Sequence, residues 1–143
     1  MTQIAGILGG KPVLRDHGTE TIRYLITDSR KVMSPAASLF FAMKGDRRDG
    51  HEFIPDLHAA GVRNFVVSDA RVTDSYPDSN FIVVADALAS MQQLAAHHRG
   101  CYNYPVIAIT GSNGKTIVKE WLYQLLRDDH HIRSEEHTSE LQS

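Results

Sequence analysis

The residues best suited to chemistry stand together as Thr110-Gly111-Ser112-Asn113-Gly114-Lys115-Thr116. Two glycines, a lysine and a hydroxyl in this order suit a nucleotide phosphate. Glycine turns the backbone through positive φ or lets an oxygen approach closely. Successive backbone N–H groups then form an anion nest, and a following helix N-terminus adds partial positive charge. Lys115 is placed to reach the outer phosphates as a point charge, and the Thr116 hydroxyl to sit on a magnesium ion.

Such a loop works only between a strand and a helix, and both patterns are present. Val106 to Ile109 is apolar and mostly β-branched, so a strand is predicted there. Ile117, Val118, Trp121, Leu122, Leu125 and Leu126 recur at helical spacing directly afterwards. Where the general phosphate-loop pattern carries its first glycine, this chain has Ile109. A plain Gly/Asn turn ahead of Lys-Thr is the bland reading, and the flanking strand and helix patterns weigh against it.

Composition narrows the remaining classes. The chain has 143 residues, 42% hydrophobic and 22% charged, which suits a globular protein with a core. A formal net charge of −2 selects no partner, and no basic stripe suggests nucleic acid. No apolar run approaches the roughly 20 residues of a membrane helix, so no membrane insertion is expected. The first residues lack the basic and apolar regions of a secretory leader. Cys101 is the single cysteine, so an internal disulfide is excluded; it reads as a half-buried small hydrophobe. All of this fits a cytoplasmic protein.

Upstream of the loop, strands alternate with helices, which predicts an α/β fold. A short helix over Ile4–Leu8 stops at Gly9-Gly10. Strands are predicted over Thr21–Thr27, Ser38–Met43, Asn64–Val67 and Phe81–Val84. Glu52–Ala60 reads as a helix, Lys44–Gly50 as a loop, and Asp69–Asn80 has little pattern. Asp86 is a cap for a helix with an inward stripe of Leu88, Met91, Leu94 and Ala95, ended by Gly100. His97 and His98 read as a solvated helix end. Asn103-Tyr104-Pro105 marks a boundary.

Residues 133–143, Arg-Ser-Glu-Glu-His-Thr-Ser-Glu-Leu-Gln-Ser, are of another kind. The whole run is what a common sequencing-library adapter encodes in one frame. It is read as a non-native tail and left out of the fold. Without it, acidic and basic side chains balance.

Three signatures, and a helix that follows two of them, resemble the Mur ligases, the enzymes that build the peptidoglycan stem peptide. Thr110 to Thr116 resembles their ATP loop, and Ile109 in place of glycine agrees with that family. Thr27-Asp28-Ser29-Arg30 resembles their N-terminal strand-end motif for the UDP-sugar. Ser38 to Gly45 with Asp49-Gly50-His51-Glu52-Phe53 resembles the next N-domain signature, and Asp86-Ala87-Leu88 with Leu94-Ala95 the helix leading to the ATP domain. Alone, Asp28-Ser29-Arg30 is more often a capped strand end, and Asp49-Gly50-His51 more often a turn. Their order and spacing make the set specific.

The resemblance implies an α/β N-terminal substrate domain over 1–102 and the start of a central ATP-binding domain, its first strand, phosphate loop and helix, over 103–132. It implies ATP and Mg²⁺ as cofactors. Gly111, Ser112, Asn113, Gly114, Lys115 and Thr116 would hold the nucleotide, with Lys115 catalytic and Thr116 on the metal. Asp28, Ser29 and Arg30 would hold UDP-N-acetylmuramoyl-peptide. The implied reaction is ATP-driven peptide-bond formation through an acyl phosphate. Ile117 to Leu122 looks most like the type that adds D-alanyl-D-alanine, in some bacteria fused to an alanine racemase. The type adding the third stem-peptide residue is the alternative. The family's later magnesium-binding acid, modified lysine and C-terminal domain have no counterpart here. Residues 1 to about 102 are therefore expected to fold alone, residues 104–132 to be poorly supported, and the chain not to turn over.

Two readings of other classes remain. A phosphate-loop switch or transport NTPase would carry its loop near the start of its domain and a glycine at position 109. A nucleotide-sugar binding module without chemistry would need only the upstream motifs.

Overall fold

Phe40 and Phe41 set the layer order of the first part of the chain. They are neighbours on one strand, so their side chains point to opposite faces, yet each is almost wholly buried. Both faces of that strand must therefore be covered, as in parallel sheets flanked by helices. The computed structural model describes residues 1–15, 21–45 and 48–132 and divides between Asn103 and Tyr104 into two compact units. Asp46 and Arg47 of the predicted loop, and the tail at 133–143, lie outside the described residues.

The first unit is built on a five-stranded sheet. Its strands are β1 (Lys11–Val13), β2 (Tyr24–Ile26), β3 (Ser38–Phe41), β4 (Asn64–Val67) and β5 (Asn80–Val83), in the order β1-β5-β4-β3-β2. β2 to β5 run parallel to their neighbours, and β1 closes one edge antiparallel to β5. The helices α1 (Thr2–Leu8) and α3 (Ala87–Gly100) pack on each other. Ala5, Leu8 and Ala87 form one cluster with Leu39, Phe41, Val66 and Ile82. The other cluster takes Phe40, Phe65, Val67 and Phe81 under Ile54 and Leu57 of α2 (Ile54–Ala59). The period-2 alternation of β3 and β4 thus feeds two separate cores. Buried polar groups are paired at the strand starts, where Asn80 Nδ2 donates to Asn64 Oδ1 at 3.1 Å.

Local chemistry sets the ends. Gly9, at φ 59°, closes α1 in the left-handed conformation predicted for a glycine stop. Asp86 caps α3 by accepting the N–H groups of Leu88 and Ala89. The helix phase differs from the predicted stripe. Ala87 and Ser90 face inward, Met91 and Leu94 are half-buried, and Leu88 and Ala95 are exposed. Small side chains let the helix lie close to the sheet. Ser90 is accommodated because its hydroxyl donates to the Asp86 carbonyl at 2.7 Å. Cys101 is exposed rather than half-buried, because it falls just past the last turn of α3.

Two elements had no forecast. β1 contains Pro12, and its edge position tolerates a residue without an N–H. It lies close to β5 because Gly10 has no side chain; a Cβ there would stand 2.5 Å from Ile82 Cγ2. The patternless stretch after β4 forms a 3₁₀ turn over Ala70–Ser75, capped by Asp69.

In the second unit a helix, α4 (Lys115–Leu126), forms where predicted. Val106 to Ile109 forms no strand, and Val106 and Ile107 are each 63% exposed. A parallel strand draws its hydrogen bonds from neighbours, and among the described residues no segment pairs with this one. No residue of α4 is buried.

Phe65 is the keystone of its cluster. It stacks on Phe81 with centroids 5.3 Å apart and meets Phe40 edge-on at 6.5 Å. Phe65→Ala is expected to cost about 3–5 kcal/mol, read as a lower urea midpoint at unchanged slope.

Candidate functional site

Parallel strands bring their carboxyl ends to one side of a sheet, where ligands of open α/β folds collect. The chain leaving β2 is Thr27 to Arg30, and the chain leaving β3 carries Met43, Gly45, Arg48 and Gly50. These residues and Phe53 line a cleft of about 460 Å³, with Phe40 and Phe41 behind it. Asp28, Ser29 and Arg30 are therefore brought together at a concave surface.

Asp28 organises that wall. Its Oδ1 accepts the Arg30 backbone N–H at 3.0 Å and Nε at 2.9 Å, while Oδ2 accepts from the guanidinium at 2.8 Å. This two-point fork fixes the plane of the guanidinium, whose side chain is still 86% exposed. The hydrogen bonds from Arg30 hold the Asp28 carboxyl well below the usual carboxylate range, and Asp28 raises Arg30 in return. Ser29 is half-buried, and among the described residues its hydroxyl has no partner. The wall offers directed donors and a hydroxyl, which suits an anionic, oxygen-rich ligand.

The part of the lining that follows β3 holds a residue that sequence reasoning missed. Arg48 is exposed, lines the cleft and has no side-chain partner among the described residues. Its position follows from a tight loop. The Gly45 N–H donates to the Arg48 carbonyl at 2.9 Å, and the Gly50 N–H to the Met43 carbonyl at 2.8 Å. Gly50 must be glycine, since a Cβ would lie 2.7 Å from both the nitrogen and the oxygen of Met43. Arginine between two glycines in a predicted loop was the only available signal.

Gly111 to Thr116 are brought together in the second unit. Gly111 has φ 149° and Gly114 φ 79°, so glycine is required at both turns. Gly114 caps α4 without any side-chain cap, which leaves first-turn N–H groups unspent. Lys115 Nζ donates to the Gly111 carbonyl, and the Thr116 hydroxyl has no partner among the described residues. Open N–H groups, an ammonium over the loop and a free hydroxyl fit a phosphate with its magnesium ion. No cluster of three acidic, histidine or cysteine side chains that could hold a metal occurs among the described residues. Among the described residues Thr116 would be the protein contact of that ion, beside the phosphate oxygens of the nucleotide.

Comparison with known proteins gives one consistent answer. Residues 21–99 match the family model described as Mur ligase family, catalytic domain. UDP-N-acetylmuramoyl-tripeptide–D-alanyl-D-alanine ligase from Bacillus subtilis is 33% identical over 129 residues, 90% of this chain and 28% of that protein. A crystal structure of MurF from Acinetobacter baumannii superposes with a TM-score of 0.70 at 32% identity, covering 90% of this chain and 27% of its own. MurF from Thermotoga maritima, solved in complex with ADP, gives 0.58 at 27% identity over 82% of this chain and 26% of its own. The 2,6-diaminopimelate-adding ligase of Geobacter sulfurreducens is 40% identical over 68% of this chain and 19% of that protein. The chain thus spans about a quarter of the length of these relatives.

Gly50 tests the geometry of the cleft. Gly50→Ala forces the Met43 backbone aside, and overpacking of this kind costs about 1–3 kcal/mol. A lower melting temperature is expected, with amide shift changes concentrated at Met43 to Phe53 in a ¹⁵N spectrum.

Proposed function

The chain belongs to the Mur ligase family, and from that premise we propose that it is part of an ATP-dependent ligase joining D-alanyl-D-alanine to UDP-MurNAc-tripeptide. Residues 1–102 act as the UDP-sugar substrate domain, residues 103–132 as the start of the central ATP-binding domain, and 133–143 as a non-native tail. One observation carries this reading. A match over 90% of the chain to the Bacillus subtilis ligase is too long to leave out either the Asp28–Arg30 wall or the Gly111–Thr116 loop.

In this reading Arg30, held flat by Asp28, and the Ser29 hydroxyl bind the UDP end of the substrate. The amides of Gly111, Ser112, Asn113 and Gly114 hold the nucleotide phosphates. Lys115 exchanges its bond to the Gly111 carbonyl for the outer phosphates and offsets their charge, and Thr116 ligates Mg²⁺. Bound ATP supplies the phosphoryl group that makes a carboxylate reactive toward an amine; the chain's own share is positioning and charge stabilisation. The ADP-bound neighbour supports an adenine nucleotide. The reading makes the chain cytoplasmic, and no helix among the described residues is long and apolar enough to cross a membrane. The Geobacter sulfurreducens relative favours a second reading, addition of the third stem-peptide residue, which predicts preference for the dipeptide substrate.

Calorimetry on the 143-residue chain separates these readings. UDP-MurNAc-tripeptide is expected to bind more tightly than the dipeptide form, and MgATP to bind independently. Arg30→Ala removes a charge-assisted contact and is expected to weaken the sugar nucleotide about 10- to 100-fold while sparing MgATP. Equal binding by Arg30→Ala would sink the substrate assignment, and MgATP binding alone would point to a non-ligase NTPase.

A further inference from the structure

Asp49-Gly50-His51 has so far supplied only a turn, but its histidine reaches outside it. His51 Nδ1 lies 2.5 Å from Asp49 Oδ1. Its Nε2 faces the backbone N–H groups of Ser68 and Asp69, at 3.1 and 3.3 Å. Backbone N–H groups only donate, so Nε2 must accept and carries no proton. The proton therefore sits on Nδ1 and is donated to Asp49. Contacts on both nitrogens fix a single neutral tautomer.

These contacts join two strand ends. Asp49 and His51 belong to the chain leaving β3, where Arg48, Gly50 and Phe53 line the cleft. Ser68 and Asp69 follow β4 directly. The Asp28–Arg30 part of the lining needs no such help, because its fork closes on itself within three residues. We infer that His51, as the neutral Nδ1–H tautomer, is a positioning residue that clamps the Arg48-bearing wall of the cleft to the end of β4. The inference rests on the reading of the cleft as the UDP-sugar site.

The clamp has a built-in proton dependence. Protonating Nε2 removes its lone pair and sets an N–H against two N–H groups, so both contacts to β4 are lost. The charged groups around the ring are Asp49, with Lys44 paired to it through the backbone, and Asp69, onto which Arg71 is forked at 2.7 Å. The two hydrogen bonds from His51, backbone N–H first and ring second, hold Asp49 below the usual carboxylate range.

The test uses the 143-residue chain with UDP-MurNAc-tripeptide as probe. Long-range ¹⁵N NMR at pH 7.5 should show Nε2 of His51 unprotonated and Nδ1 protonated. Calorimetry at pH 7.5 and at the pH where the same spectra show Nε2 protonated should show wild-type affinity falling about fivefold between the two, the worth of one ordinary hydrogen bond. His51→Gln can keep an acceptor near the Nε2 position without titrating. It should bind within about threefold of wild type at pH 7.5 and lose that acid dependence. His51→Asn keeps a donor to Asp49 but falls short of β4, and should weaken binding at both pH values. A protonated Nε2 overturns the inference. So does a His51→Gln variant whose acid dependence matches wild type, or a folded His51→Asn variant that binds as wild type does. If His51→Asn fails to fold, the tautomer and the Gln profile decide. If the wild-type chain does not bind the probe at all, the substrate assignment fails and this role falls with it. Normal wild-type binding with unaltered variants defeats the clamp alone.

Discussion

Everything in the first unit depends on a sheet whose middle strands have no solvent face. β3 and β4 are buried at every residue, so each successive side chain must find a partner on alternating sides. That demand recruits α1 and α3 on one face and, on the other, α2 with the 3₁₀ turn Gly50–Phe53 that leads into it. A strand enclosed in this way leaves only its two ends for polar work. At the amino ends, Asn80 donates to Asn64, Asn64 donates to the Ala36 and Ser38 carbonyls, and Asn80 accepts the Arg15 N–H. The carboxyl ends open into the cleft, and Asp28, Arg30, Arg48 and His51 all lie on the chain leaving such an end.

The two candidate sites solve the problem of presenting charge in different ways. In the cleft, side chains hold side chains: a carboxylate flattens a guanidinium, and a histidine ties one loop to another. In the glycine loop the backbone does the holding, through two positive-φ glycines and an uncapped helix start. Directed guanidinium groups suit planar or forked oxygens, whereas a nest of amides suits a phosphate of any orientation. Each construction matches its proposed ligand, the sugar nucleotide for one and the adenine nucleotide for the other.

The sequence was most legible where physics is local. The apolar runs of β3, β4 and β5, the Gly9 stop and the Asp86 cap follow from residues close in the chain. β1 escaped because three residues with a proline in the middle carry no pattern, and its pairing with β5 lies about seventy residues away. The phase of α3 was set wrongly because Leu88 drew the stripe toward itself, while burial selected Ala87 and Ser90 for closeness to the sheet. Val106 to Ile109 has strand composition, but a parallel strand exists only through its neighbours. At the cleft, Asp28 and Arg30 could be read from a short motif. Arg48 depended on a loop closure and left only its place between two glycines, and the reach of His51 to Ser68 spans 17 residues and left no local sign.

The Asp28–Arg30 fork also bears on how quickly the cleft can capture an anion. Its two charges cancel at a distance, so the fork projects little attractive field into solution. Attraction at longer range falls to Arg48, an exposed cation in the same cleft. An approaching anion meets the donors of Arg30 only at contact. What Arg30 adds is then expressed in how long the ligand stays rather than in how often it arrives.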